Sequence, residues 1–143
     1  MKAGIRLACA VSFVIVGLAP ACSDGVGPEA AAGTYVLHDI NGTAVPLEGV
    51  NVPVGGMIRL TADGRAERRV RYRTDFSGTT EEFAAFGTFA IRGDSVALAL
   101  SENGAQPSWV WQPSAVLRAG VLTLQYPSPV DGPDIVEAYV RVL

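Results

Sequence analysis

The chain has 143 residues, of which 11 are basic and 14 acidic; 49 % are hydrophobic, 17 % charged, and 16 are glycine. That length and apolar share suit one turn-rich domain with its own core. The acidic balance argues against nucleic acid as a partner, because that affinity comes mainly from Lys and Arg on phosphates.

Lys2 and Arg6 form a positive start, and Leu7 to Leu18 is apolar or small. Such a run has the length of a secretory signal core and is short for a bilayer-spanning helix. Residues 1–21 are therefore read as a cleaved signal peptide. Leu18-Ala19-Pro20-Ala21-Cys22 resembles the bacterial lipobox, whose cysteine is acylated, with palmitate a usual chain, and becomes the new N-terminus. Ala19 stands where that motif usually has Leu, and Ala19-Pro20-Ala21 also satisfies the A-x-A rule of ordinary signal peptidase. Both routes cut before Cys22. Of the two cysteines, Cys9 leaves with the signal, so Cys22 has no disulfide partner and acylation would cap its thiol. Cys22 is the expected lipidation site and a membrane the expected partner. The alternative is a soluble periplasmic or secreted protein. Without Lys2 and Arg6 the 11 basic residues fall to nine against 14 acidic ones, a net charge of −5.

Ser23 to Ala32 has no hydrophobic period, so residues 22–32 read as a lipidated cysteine and a flexible tether. About ten such residues span roughly 15–20 Å. Ser23 after the cysteine points to the periplasmic side of the outer membrane.

Residues 33–143 form the domain. Asn41-Gly42, Asp63-Gly64, Gly93-Asp94, Asn103-Gly104, Ala119-Gly120 and Asp131-Gly132 punctuate it, with Gly55-Gly56 and Ser77-Gly78 in the longest gaps. Segments between them are rich in Val, Tyr, Phe, Thr and Leu, the pattern of an all-β antiparallel meander. A two-residue turn at Gly93-Asp94 sets Ile91 opposite Val96, Phe89 opposite Leu98 and Gly87 opposite Leu100, all on one face. The same register at Ala119-Gly120 sets Leu117 against Leu122 and Ala115 against Leu124, and puts Trp109 and Trp111 inward. At Asp63-Gly64 only a three-residue loop with a left-handed Gly64 keeps faces apart, pairing Leu60 with Ala66 and Arg59 with Glu67. It turns Arg65, Glu67, Arg69, Arg71 and Arg73 outward and Ala66, Arg68, Val70 and Tyr72 inward. In the last strand, alternation puts Val136, Ala138, Val140 and Val142 inside. Eight or nine strands in up-and-down order form a small closed barrel, since closure removes exposed edges.

Gly33-Thr34-Tyr35 at the first strand and Gly87-Thr88-Phe89 before the Gly93-Asp94 hairpin resemble the lipocalin-like bacterial lipoproteins, with Tyr35 in place of the usual Trp. This resemblance implies a barrel with an apolar ligand cavity at one end. The turn at Asp39-Ile40-Asn41-Gly42 is similar to META-domain lipoproteins, a second all-β envelope family.

Chemistry-bearing motifs are few. His38, the single histidine, alternates with Tyr35 and Leu37, faces outward and lacks partners at zinc spacing. No nucleophile turn of the G-x-S-x-G kind is present. Glu81 and Glu82 are adjacent on a strand and point to opposite faces, unlike a glycosidase pair. Asp131 and Asp134 suit a turn better than a calcium loop. Arg69, Arg71 and Arg73 make either a solvated strand face or a surface for anionic lipid. No catalytic residue, metal site or cofactor is expected.

Arg68 stands apart, because an inward guanidinium needs a carboxylate, rim water or a ligand's anionic head. Tyr72, Trp109, Trp111 and Tyr126 would wall such a ligand or pack as core. Two functions remain: a non-enzymatic lipoprotein binding a small apolar or amphipathic ligand, with Arg68, Tyr72, Trp109, Trp111 and Tyr126 as its site, or a structural or inhibitor-type module with a filled core that binds another envelope protein.

Overall fold

A computed structural model describes residues 27–102 and 110–143. Cys22 and Trp109 lie outside them. Strands β1 (Gly33–Ile40), β2 (Thr43–Ala44), β3 (Val52–Leu60), β4 (Arg65–Arg73), β5 (Thr80–Arg92), β6 (Ser95–Glu102), β7 (Ser114–Arg118), β8 (Val121–Tyr126) and β9 (Ile135–Val142) follow a short helix, α1 (Pro28–Ala31). All neighbours are antiparallel. β1 pairs with β9 as well as β3, which closes β1 and β3–β9 into an eight-stranded barrel and leaves β2 as a two-residue appendage on β1. The fold is compatible with the lipocalin-like architecture.

Turn chemistry sets the register as read above. β5 and β6 pair Ile91 with Val96, Phe89 with Leu98 and Gly87 with Leu100. β7 and β8 pair Leu117 with Leu122 and Ala115 with Leu124. Gly64 is left-handed at φ 83°, and Leu60 faces Ala66 while Arg59 faces Glu67. At Asn41 and Gly42 both φ values are positive, 51° and 78°, as the tightest hairpin turns require. Gly55-Gly56, expected at a turn, instead lies within β3 beside a register shift between Pro53 and Gly55. Glycine serves a bulge there, where the strand bends past its neighbour.

Tyr35, Leu60, Ala66, Phe89, Val96, Leu98, Leu100, Ala115, Leu122 and Leu124 fill the interior. The tight turns at 61–64, 93–94 and 119–120 all lie at one end. There α1 caps the core: Ala31 is fully buried, the Tyr35 hydroxyl donates to the Ala31 carbonyl at 2.7 Å, and Arg141 donates to the Ala30 and Ala32 carbonyls. The second half of the expected tether is thus folded onto the barrel. Pro28 pre-sets the first helical turn, and Ala31 supplies the apolar contact that holds it. Residues 41–51, 74–79 and 127–134 connect strands at the opposite end, which stays open.

One expectation is inverted. Val140 and Val142 are 40 % and 47 % exposed, whereas Glu137 and Tyr139 are 1 % and 0 % exposed. β8 sets Leu122 opposite Tyr139 and Leu124 opposite Glu137, so those two share the inner face with the leucines. Valine and alanine tolerate either side of a strand, which removes the alternation signal. The large aromatic ring and the partner of Arg68 decide the facing.

Candidate functional site

Midway along the barrel, β4 and β9 each send one charge inward. Arg68 Nη2 donates to Glu137 Oε1 at 2.7 Å and to Oε2 at 2.9 Å, and Arg68 Nε donates to the Tyr139 hydroxyl at 3.1 Å. The Tyr126 hydroxyl donates to Oε1 at 2.8 Å, and that of Tyr139 to Oε2 at 2.7 Å. A carboxylate has about four acceptor positions, so Glu137 is saturated from within. The Trp111 ring lies 4.8 Å from the Arg68 guanidinium carbon. Arg68 Nη1 donates to none of the described residues.

Burial would disfavour a guanidinium cation, yet the Tyr139 and Glu137 oxygens outweigh it and hold Arg68 charged. Burial, reinforced by the Glu137 charge and hydrogen bond, pushes the Tyr126 phenol far above its ordinary value despite Arg68. Tyr139 is raised too, by burial first and Glu137 next, against the pull of Arg68. The cluster is therefore one cation, one anion and two protonated phenols, with no net charge.

Above this floor, Arg68, Tyr72, Phe83 and Glu102 line two adjoining cavities of about 440 and 180 Å³. Asn51, Thr74 and Glu81 complete the larger one, and Ala84, Ala85, Trp111 and Tyr126 the smaller. The aromatic walls form two edge-to-face pairs: Tyr72 with Phe83 at 5.5 Å, and Trp111 with Tyr126 at 5.0 Å between centroids. Trp111 is held by a bridge to β6, its amide and carbonyl both bonded to Leu100.

Arg68, Tyr72, Trp111 and Tyr126 thus converge as the sequence reading expects. Arg68 meets a carboxylate of its own chain, so its charge is satisfied without a ligand. Glu137, Tyr139, Phe83 and Glu102 were not among the expected site residues. A signal for Glu137 existed: an inward arginine calls for an inward acid, and β9 offers one between apolar neighbours. Glu81 and Glu82 point to opposite faces as expected, Glu81 into the mouth and Glu82 outward onto Arg69 at 2.9 Å. His38 is on the outside beside Asp39, and Arg73 donates to the Leu47 and Gly49 carbonyls. Among the described residues no three His, Cys, Asp or Glu side chains converge as a metal site. No protein-family description, curated protein or solved structure matches this chain.

Proposed function

We propose that this chain is a non-enzymatic, lipid-anchored protein of the bacterial cell envelope that binds a small apolar or amphipathic molecule in the open end of its barrel. The observation that carries this reading is the cavity of about 440 Å³ walled by Tyr72 and Phe83 and adjoining Trp111 and Tyr126. Its size lies in the usual range of small-molecule sites, and its wall sets the Tyr72 and Phe83 rings among the polar side chains of Asn51, Arg68, Thr74, Glu81 and Glu102. The polar groups of its floor, Arg68, Glu137, Tyr126 and Tyr139, are pre-set by the chain's own hydrogen bonds, so little ordering is left there for the ligand to impose.

Lipid anchoring at Cys22 rests on the signal-like start and the lipobox resemblance. α1 caps the closed end, so the described chain begins at the end opposite the mouth. A lipocalin-like lipoprotein is the family reading that suits both features.

Fluorescence titration with an apolar probe such as N-phenylnaphthylamine tests the binding reading. A saturable signal that Phe83→Ala and Tyr72→Ala each weaken severalfold is expected. An unsaturable response, identical in both variants, would sink it. The second reading, an interaction module, is favoured by the packed interior below Arg68 and by the loops gathered at the open end. Stoichiometric recovery of one envelope protein, lost on changing residues of the 127–134 loop, would support it instead.

A further inference from the structure

We propose that the ligand of the mouth carries a positive charge, an alkylammonium group or its equivalent; this deepens the binding reading and rests on it. Three observations converge. The Arg68–Glu137 floor is internally neutralised, so it contributes no net charge to the cavity. The cavity wall carries two further carboxylates, Glu81 and Glu102, and neither forms an ion pair among the described residues. The rings of Tyr72, Phe83 and Tyr126 offer π-faces of the kind that attract quaternary and primary ammonium groups, and Trp111 already holds one such contact, with the Arg68 guanidinium.

The wider charge distribution has the same polarity. The connecting segments 41–51, 74–79 and 127–134 at the open end hold Glu48, Asp75, Asp131 and Asp134 and no basic residue, and segment 103–113 has no charge at all. Most arginines lie at the closed end, where Arg59 and Arg65 flank the first tight turn, Arg92 and Arg118 the next two, and Arg141 binds α1. Arg65 and Arg118 pair there with Asp63 and Asp94, while Arg71 and Arg73 lie toward the open end of β4, with Arg73 bonded to the Leu47 and Gly49 carbonyls. With Arg68 neutralised by Glu137, the unpaired charges lining the entrance among the described residues are acidic, and such an excess concentrates the opposite ion there. An aromatic mouth with an acidic rim selects an amphipathic cation. A fatty acid with its carboxylate at the mouth would face Glu81 and Glu102, a Coulombic cost that the solvent at this exposed rim screens in part.

A matched series with one tail and three heads tests this: octyltrimethylammonium, octanol and octanoate, titrated against intrinsic tryptophan fluorescence and by calorimetry. The cation should bind about tenfold or more tightly than octanol, with octanoate weakest, given cation–π and Coulomb terms acting together. In the double variant Glu81→Gln, Glu102→Gln that preference over octanol should fall severalfold, while the melting temperature holds, since both side chains are exposed at the rim. Equal binding of cation and octanol, a preference for octanoate, or an undiminished cation preference in the double variant would each overturn the charge assignment while leaving the mouth as a binding site. If none of the three saturates, the binding reading falls with it.

Discussion

Arg68 and Glu137 stand 69 residues apart in the chain and meet inside the barrel with Nη2 2.7 Å from Oε1. The Arg68 side chain is 14 % exposed and that of Glu137 1 %. Each is the reason the other can be there. A buried charge pair contributes little net stability against an apolar pair of equal volume, but removing one partner strands the other.

Glu137→Gln should therefore destabilise the fold by about 3–5 kcal/mol, the usual result of breaking a buried pair. Chemical denaturation measures it. The double variant Arg68→Met, Glu137→Leu should recover most of that loss, although Tyr126 and Tyr139 then lack their acceptor. A large positive coupling between the two sites is expected from the cycle.

Alkaline pH should unfold the barrel. Tyr126 and Tyr139 are held protonated above the ordinary phenol range, chiefly by burial, and Tyr35 is raised by burial against the pull of Arg141. In the unfolded chain these phenols ionise near their ordinary value of about 10. Their contribution is thus complete below about pH 10 and is lost as pH rises from there toward the folded values. A tyrosinate absorbance titration should show three of the four tyrosines ionising together with loss of the β circular-dichroism signal. Independent ionisation of Tyr126 with the fold intact would contradict the cluster geometry.

Gly87→Ala should be among the costliest single-methyl additions. An added Cβ would sit 1.8 Å from the Ala99 carbonyl oxygen, which is backbone and has no rotamer to yield. Overpacking of this kind costs about 1–3 kcal/mol, and backbone displacement puts this site at the upper end. The thermal midpoint should fall by several degrees, whereas Gly93→Ala, with open space around it, should suffer only from its left-handed φ of 59°.

How much of this was legible beforehand depends on where the chain carries strong local signals. Gly93-Asp94, Ala119-Gly120 and Asp63-Gly64 dictate turn geometry, and each turn propagates a register over a whole hairpin. That is why the inward facing of Arg68, Tyr72, Phe89 and Leu98 could be read directly. β9 has no such punctuation: a long loop precedes it, and Val and Ala occupy the alternate positions, so periodicity pointed to the wrong face. Its facing is settled by tertiary partners, Arg68 above all. Residues 28–32 escaped notice for a related reason. Four helical residues have no period, and only the burial of Ala31 against the barrel end gives them structure. At the mouth, Phe83 and Glu102 were hidden because their role depends on where β6 stops. Glu102 ends it opposite Ala85, and Phe83 lies in the stretch of β5 that runs on past it beside β4, a difference in strand length that composition does not encode.

Anchoring is open to direct measurement. Mass spectrometry of the mature N-terminus from the native envelope should show cleavage before Cys22 and acyl chains on it, and Cys22→Ser should release the protein into the soluble fraction. A free thiol on Cys22 would mean a soluble periplasmic barrel, with the mouth unaffected.

The central claim, that the open end holds a small molecule, is tested most directly by native mass spectrometry of the protein purified gently from its own envelope. The expected result is a species heavier than the chain by one discrete small molecule, which Phe83→Ala and Tyr72→Ala largely lose. A clean unliganded mass in the wild-type protein, unchanged on adding envelope extract, would contradict it.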